Sequence, residues 1–279
     1  MKRILLPTAL AVLSLGATAQ QLPQSSPHGE VEQTVGLTKV EVDYSRPSAR
    51  NRTIFNGLLP NGKLWRLGAN ANTTIEIDGP ITVEGQTLPQ GKYSMFAIPD
   101  QGSWTLIFNK NTELWGEGDY KEAEDALRVK VRTEPTEFTE TLNISFDEVA
   151  NDQARMDIRW EKTRASLHIK ADATEQALAN IKKAMADGEM KAGGYASSAR
   201  FMLDRNMMQK EALDWAMRAA AMDPKFYILH TLALAQAANG QTKEAIATAE
   251  KSMTAAKEAG NDAYVNMNAE KIKLWSAAK

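Results

Sequence analysis

Between Asp43 and Glu76 the chain carries five cations and no acid: Arg46, Arg50, Arg52, Lys63 and Arg66. Arginine's planar fork matches a carboxylate or phosphate through two parallel hydrogen bonds. Asn56, Asn70 and Asn72 add amide donors and acceptors to the same stretch, and Trp65 offers an apolar wall. Such a set suits the holding of an anion or a polyol. Arg46, Arg52, Arg66, Asn70 and Trp65 are therefore assigned to a ligand site. Trp115, followed by Gly116 outside any strand pattern, joins them as a surface platform for a sugar ring. The competing reading has the same arginines pairing with acids of their own domain and pinning a long loop.

Other chemistries find less support. His28, His168 and His230 are widely spaced, with no H-E-x-x-H pattern, so no metal site is expected. There is no G-x-S-x-G elbow, P-loop or dinucleotide fingerprint, and no cofactor is expected. Glu117 and Asp119 flank Gly118 in a loop, and Asp125 follows shortly after. A solvated turn is the plain reading of that pair, with a calcium ligand set as the rarer one. As general acid and base, these carboxylates would instead make the chain a hydrolase.

The composition narrows the classes. The chain has 279 residues, 33 Lys and Arg against 35 Asp and Glu, a formal charge of −2, and no cysteine. Near-neutrality argues against a nucleic-acid partner. The 43% hydrophobic content fits a packed chain rather than a disordered one. Lacking cysteine, the chain has no disulfide framework, zinc ribbon or thiol nucleophile.

Lys2 and Arg3, the apolar run from Ile4 to Leu15 and the small residues Gly16 to Ala19 read as a secretory signal peptide over 1–19. A polar leader, 20–34, follows. The mature protein is expected to be exported, periplasmic or extracellular, with no membrane span once the signal is removed.

Two halves must position the candidate residues. Over 35–171, short alternating runs such as Val40, Val42 and Tyr44 predict half-buried strands of a β-sandwich. Trp104, on one of these runs, is expected in the core. Leu127 to Val131 and Leu142 to Phe146 read as separate strands, and Glu161 to Arg164 as the turn of a last hairpin. Over 172–279 the composition shifts to 27 Ala and 9 of the 12 Met, predicting an all-α domain of about six helices. Lys210-Glu211-Ala212-Leu213 and Lys243-Glu244-Ala245-Ile246 repeat at an offset of 33 residues, with Pro224 between them. That spacing is tetratricopeptide-like, and small residues there let paired helices approach closely.

Several ordered motifs carry a family resemblance. They include Val42-Asp43-Tyr44-Ser45-Arg46-Pro47, Lys63-Leu64-Trp65-Arg66-Leu67-Gly68-Ala69-Asn70, Leu88-Pro89-Gln90-Gly91-Lys92-Tyr93 and Trp104-Thr105-Leu106-Ile107-Phe108-Asn109. Together they resemble a bacterial exported family known as domain of unknown function 2911. The resemblance implies no activity. Similar proteins tend to carry an acid after the Gly-Ala-Asn, where this chain has Ala71.

These readings combine into an exported binding or scaffold protein of the cell envelope. Its sandwich would take an anionic or glycan ligand and its helical repeat a peptide or protein. The alternatives are an envelope hydrolase using the loop carboxylates and a purely structural protein.

Overall fold

A computed structural model describes residues 22–188 and 190–277. The expected signal peptide lies outside them. Contacts divide the chain into one unit ending at Ala173 and a second starting at Thr174.

The first unit is antiparallel: β1 (His28–Val35), β2 (Thr38–Ser45), β3 (Thr73–Ile77), β4 (Ile81–Val83), β5 (Gln86–Leu88), β6 (Gly91–Asp100), β7 (Ser103–Asn109), β8 (Asp125–Ala150) and β9 (Gln153–Lys170). Their order is β1-β2-β3-β6-β7-β8-β9-β4-β5. Part of the segment read as a polar leader is thus strand, since β1 begins at His28. It pairs with β2 across a turn at Gly36, whose φ of 60° suits glycine; a Cβ there would stand 2.4 Å from the Ala171 carbonyl oxygen.

Two strands are much longer than the alternation predicts. The first part of β8 pairs with β7, and its later part pairs with β9. One 26-residue strand therefore serves both layers of the sandwich. Its buried residues change parity on the way, from Leu127, Val129 and Val131 to Leu142 and Ile144. In β9 the change runs from Met156, Ile158 and Trp160 to Ala165, Leu167 and Ile169. A period-two strand can switch parity only through a bulge, and the β8–β9 register shifts between Pro135 and Thr139 and again before Asn143. Glu161, with φ 54°, lies at this irregularity. The hairpin expected at Glu161 to Arg164 does not exist. Those polar residues continue β9 where it passes between two buried stretches, which is why they resemble a turn.

A second seam ties the layers. Beyond β2, Leu142 N donates to Pro47 O (2.9 Å) and Ala49 N to Glu140 O (2.7 Å). The buried Tyr44 hydroxyl accepts from Ile144 N (3.0 Å) and reaches Ile144 O (3.4 Å). Between the layers lies one continuous core holding Trp65, Trp104 and Trp160, with Phe55 against it. Trp104 is buried, as its alternating strand predicts.

The second unit has six helices among the described residues: α1 (Thr174–Ala186), α2 (Ala192–Asp204), α3 (Gln209–Met222), α4 (Phe226–Ala238), α5 (Thr242–Glu258) and α6 (Asp262–Ala277). Sequence neighbours pack from α2 onward, and α4 also touches α2 and α6. A helix covered on several sides must be apolar on more than one stripe. Accordingly, α4 buries Ile228, His230, Thr231, Ala233 and Ala235. Ala212, Ala216 and Ala219 of α3 and Ala245, Ala249 and Ala256 of α5 are buried, keeping the helices close. None of the described helices is long and apolar enough to cross a membrane.

Candidate functional site

The acid-free stretch folds into a strained connection between β2 and β3. Of eleven non-glycine residues with left-handed φ among those described, five lie here: Arg50, Asn51, Asn56, Leu67 and Asn70. A buried leucine at φ 54° costs energy that its surroundings must offset. Trp65 does much of the holding. It exchanges two 2.8 Å backbone hydrogen bonds with Ala97 of β6, and its indole N–H donates to Gly68 O at 3.1 Å. The Thr73 hydroxyl secures Leu67 O at 2.8 Å.

Around this connection lies a cavity of about 470 Å³. Trp65 and Trp160, stacked with centroids 5.7 Å apart, contribute to its lining from the core side. Leu58, Leu59, Pro60 and Leu64 give it an apolar wall, and Arg50, Arg52, Arg66 and Glu117 give it charge. The arginines differ in their partners. Arg66 is held by Glu117, whose Oε1 accepts from its backbone N (2.9 Å) and its Nε (3.2 Å). Arg50 donates from Nη2 to Ser25 O, and Arg52 donates to Ala49 O and Ser48 O. Neither guanidinium has a carboxylate partner among the described residues. Pairing with the domain's own acids therefore accounts for Arg66 and leaves Arg50 and Arg52 available.

The residues named from sequence separate in space. Arg52, Arg66 and Trp65 line the cavity. Arg46 does not; its Nε donates to Leu142 O at 3.1 Å and its guanidinium lies over the Tyr44 ring, so it serves the seam between the layers. Asn70 is a tether, donating from Nδ2 toward Gln24, Ser26 O and the Ser45 hydroxyl, each at 3.2 Å. Trp115 is 74% exposed and stands outside the lining, two residues before Glu117. Sequence reasoning left out Arg50, although it belongs to the same cationic run, and Trp160, whose role requires knowing that β9 continues.

Glu117 arrives on a loop whose anchors are specific. Asp125 accepts from Asn109 Nδ2 (2.8 Å), the Tyr120 hydroxyl (2.7 Å) and Arg128 (2.9 Å). Burial, reinforced by Asp125, raises the Tyr120 pKa. Gly116 N donates to the buried Asn72 side chain at 2.9 Å, and Leu114 packs on Phe96 and Ile107. Asp125 is thus an anchor and Asp119 is exposed, and neither lines the cavity. Among the described residues of the lining, a hydrolysis needing two carboxylates would find Glu117 alone.

Two further charged groups lie outside this cavity. Glu30, Glu32 and Glu41 come close enough together to surround a cation, yet Lys39 already bridges Glu32 and Glu41 at 2.8 and 2.7 Å. Asp157, fully buried, meets Arg155, Arg159 and Ser166. Burial alone would raise its pKa, but the hydrogen bonds from Arg155 and Ser166 and the charges of Arg155 and Arg159 hold it below the usual carboxylate range.

In the helical unit, Arg200 and Phe201 of α2, Tyr227 and Thr231 of α4 and Tyr264 of α6 line a separate groove of about 420 Å³. Behind it, His230 meets Asn268 at 2.9 Å, and Asn268 donates to Ser252 (2.9 Å) and Tyr264 O (2.7 Å). With its amide nitrogen so used, Asn268 turns its oxygen to His230, whose Nδ1 therefore carries the proton.

Fold and site together define a sandwich with a cationic, partly apolar cavity, followed by a helical array. The chain belongs to the family described as "Protein of unknown function (DUF2911)", whose model matches residues 26–169 and so spans the sandwich and its cavity. No curated protein and no solved structure matches the chain.

Proposed function

We propose that this is an exported binding protein of the cell envelope whose sandwich cavity holds a small anionic ligand. The observation carrying this reading is the pair Arg50 and Arg52, set in a cavity with an apolar wall, whose guanidinium groups have no carboxylate partner among the described residues although the Arg50 backbone N donates to Glu140. Pockets of roughly 300–1,000 Å³ with a few convergent polar groups are the usual form of small-molecule sites. The N-terminal segment 1–19 supports export, and fractionation of cells expressing the full chain tests it: retention in the cytoplasm would end that part of the reading.

The helical unit supports a second role in protein binding. The starts of α2 and α4 are 34 residues apart and those of α3 and α5 are 33 apart, the period of a tetratricopeptide array. In such arrays alternate helices line an extended binding surface, and α2, α4 and α6 line the groove here.

The cavity is tested by ligand-induced thermal stabilisation. A ligand at about 100 times its Kd stabilises the folded state by about 2.7 kcal/mol. Replacing Arg50 and Arg52 by Ser is expected to remove stabilisation by inorganic phosphate and citrate. Equal stabilisation of the double variant and the parent protein would overturn the assignment.

A further inference from the structure

Glu117 is a carboxylate in a cavity otherwise built for anions. Among the lining residues, Arg50, Arg52 and Arg66 set three positive charges against its one negative charge, leaving two in excess, while Glu140, outside the lining, is held by the Arg50 backbone. Its Oε1 is occupied by the two donors of Arg66, whereas its Oε2 has no hydrogen bond among the described residues. The Glu117 side chain is 33% exposed and lines the cavity. Donors without a hydrogen bond among the described residues remain on the arginines: Nε and Nη1 of Arg50, Nη1 of Arg52 and Nη2 of Arg66. The cavity thus combines an anion-binding set, one isolated acceptor and an apolar wall of Leu58, Leu59 and Leu64.

Resting on the anion-binding reading above, we infer that the ligand is a phosphorylated sugar, with Glu117 as the residue that selects it. Arg50 and Arg52 hold the phosphate, a sugar hydroxyl donates to Glu117 Oε2, and the apolar face of the ring lies toward the leucines. Three observations favour this class. A phosphate monoester carries about −1.5 to −2 charges near pH 7, matching the two in excess. An ammonium group approaching Glu117 would enter a net positive field, whereas a neutral hydroxyl meets no such repulsion. A simple anion would leave Oε2 facing it without a donor, a polar group desolvated for nothing.

The experiment compares glucose 6-phosphate, hexyl phosphate, inorganic phosphate and glucose as ligands of the purified protein, by calorimetric titration at low salt. Glucose 6-phosphate is expected to bind at least tenfold more tightly than hexyl phosphate. In Glu117→Ala that preference should fall below threefold while phosphate affinity is kept or increased, because Arg66 is released. Glu117→Gln, which retains the shape, should give an intermediate preference and shows whether the alanine variant merely loosened its loop. Equal affinity for glucose 6-phosphate and hexyl phosphate in the parent protein would overturn the inference and leave anion binding standing. Binding of none of the phosphates would overturn both readings.

Discussion

Asn70 illustrates how one residue can combine two roles that substitution can separate. Its left-handed φ of 57° costs most side chains about 1–2 kcal/mol, while asparagine and glycine tolerate it. Its amide also fastens residues 24–26 to the end of β2. Asn70→Gly keeps the backbone and loses the tether; Asn70→Ala loses both. Chemical denaturation should show the alanine variant less stable than the glycine variant by about 1 kcal/mol. The reverse order would show that the connection does not depend on that conformation. At this scale, residue types were legible and directions were not. Arg46 and Arg50 read alike as members of an acid-free run, yet Arg46 lies along Tyr44 while Arg50, in a left-handed conformation, lines the cavity. Glu117 meets Arg66 across 51 residues of sequence, a pairing that spacing cannot reveal.

At the scale of elements, the seam beside β2 and the interior of the helical array each hold a buried polar group whose removal can be read. Tyr44→Phe leaves the Ile144 amide buried without its acceptor, so a loss of about 1–3 kcal/mol is expected in denaturant melts of the sandwich unit. A loss below about 0.5 kcal/mol would show that water or a shifted strand replaces the hydroxyl. In the helical unit, burial lowers the His230 pKa below its ordinary 6.5; the Asn268 hydrogen bond opposes this, and Arg200 and Lys271 add to the lowering. The unfolded chain therefore takes up this proton first as pH falls. Stability is complete above about pH 6.5 and declines below it, because the unfolded state binds more protons. His230 is the only histidine in 174–279, so His230→Asn, which retains a donor for Asn268, should flatten the decline of that unit's melting temperature between pH 7 and pH 5. An unchanged slope would move the pH dependence to other groups. Alternation identified the inward residues of β8 and β9, but not that each is one strand. A parity switch looks like a break until the partner strand's bulges are known.

The whole molecule keeps its two kinds of chemistry in separate units. Among the described residues, those lining the cationic cavity and those of the sandwich core all precede Ala173. A chain ending at Ala173 is accordingly expected to melt cooperatively and to bind phosphate with affinity within about threefold of the full chain. Loss of cooperative melting would show that the helices are required for the sandwich to fold. Charge follows the same division: 20–172 carries 17 cations against 23 acids, and 173–279 carries 14 against 12. The near-zero total conceals an acidic sandwich around a basic cavity, a pattern visible in sequence only after the halves are counted apart. The change of composition near Asp172 marked that division, because strand and helix use such different residues.

The hydrogen bonds that fasten residues 24–26 have one more consequence. Ser26 lines the cavity, Ser25 supplies the carbonyl that orients Arg50, and Asn70 grips both Gln24 and Ser26. Part of the proposed ligand site is therefore made from residues only a few places beyond the expected cleavage point after Ala19. On the proposed reading, this N-terminal segment and the site are coupled: trimming to His28 is expected to leave the sandwich folded while weakening phosphate binding, and unchanged affinity in calorimetric titration would show that residues 24–26 are dispensable.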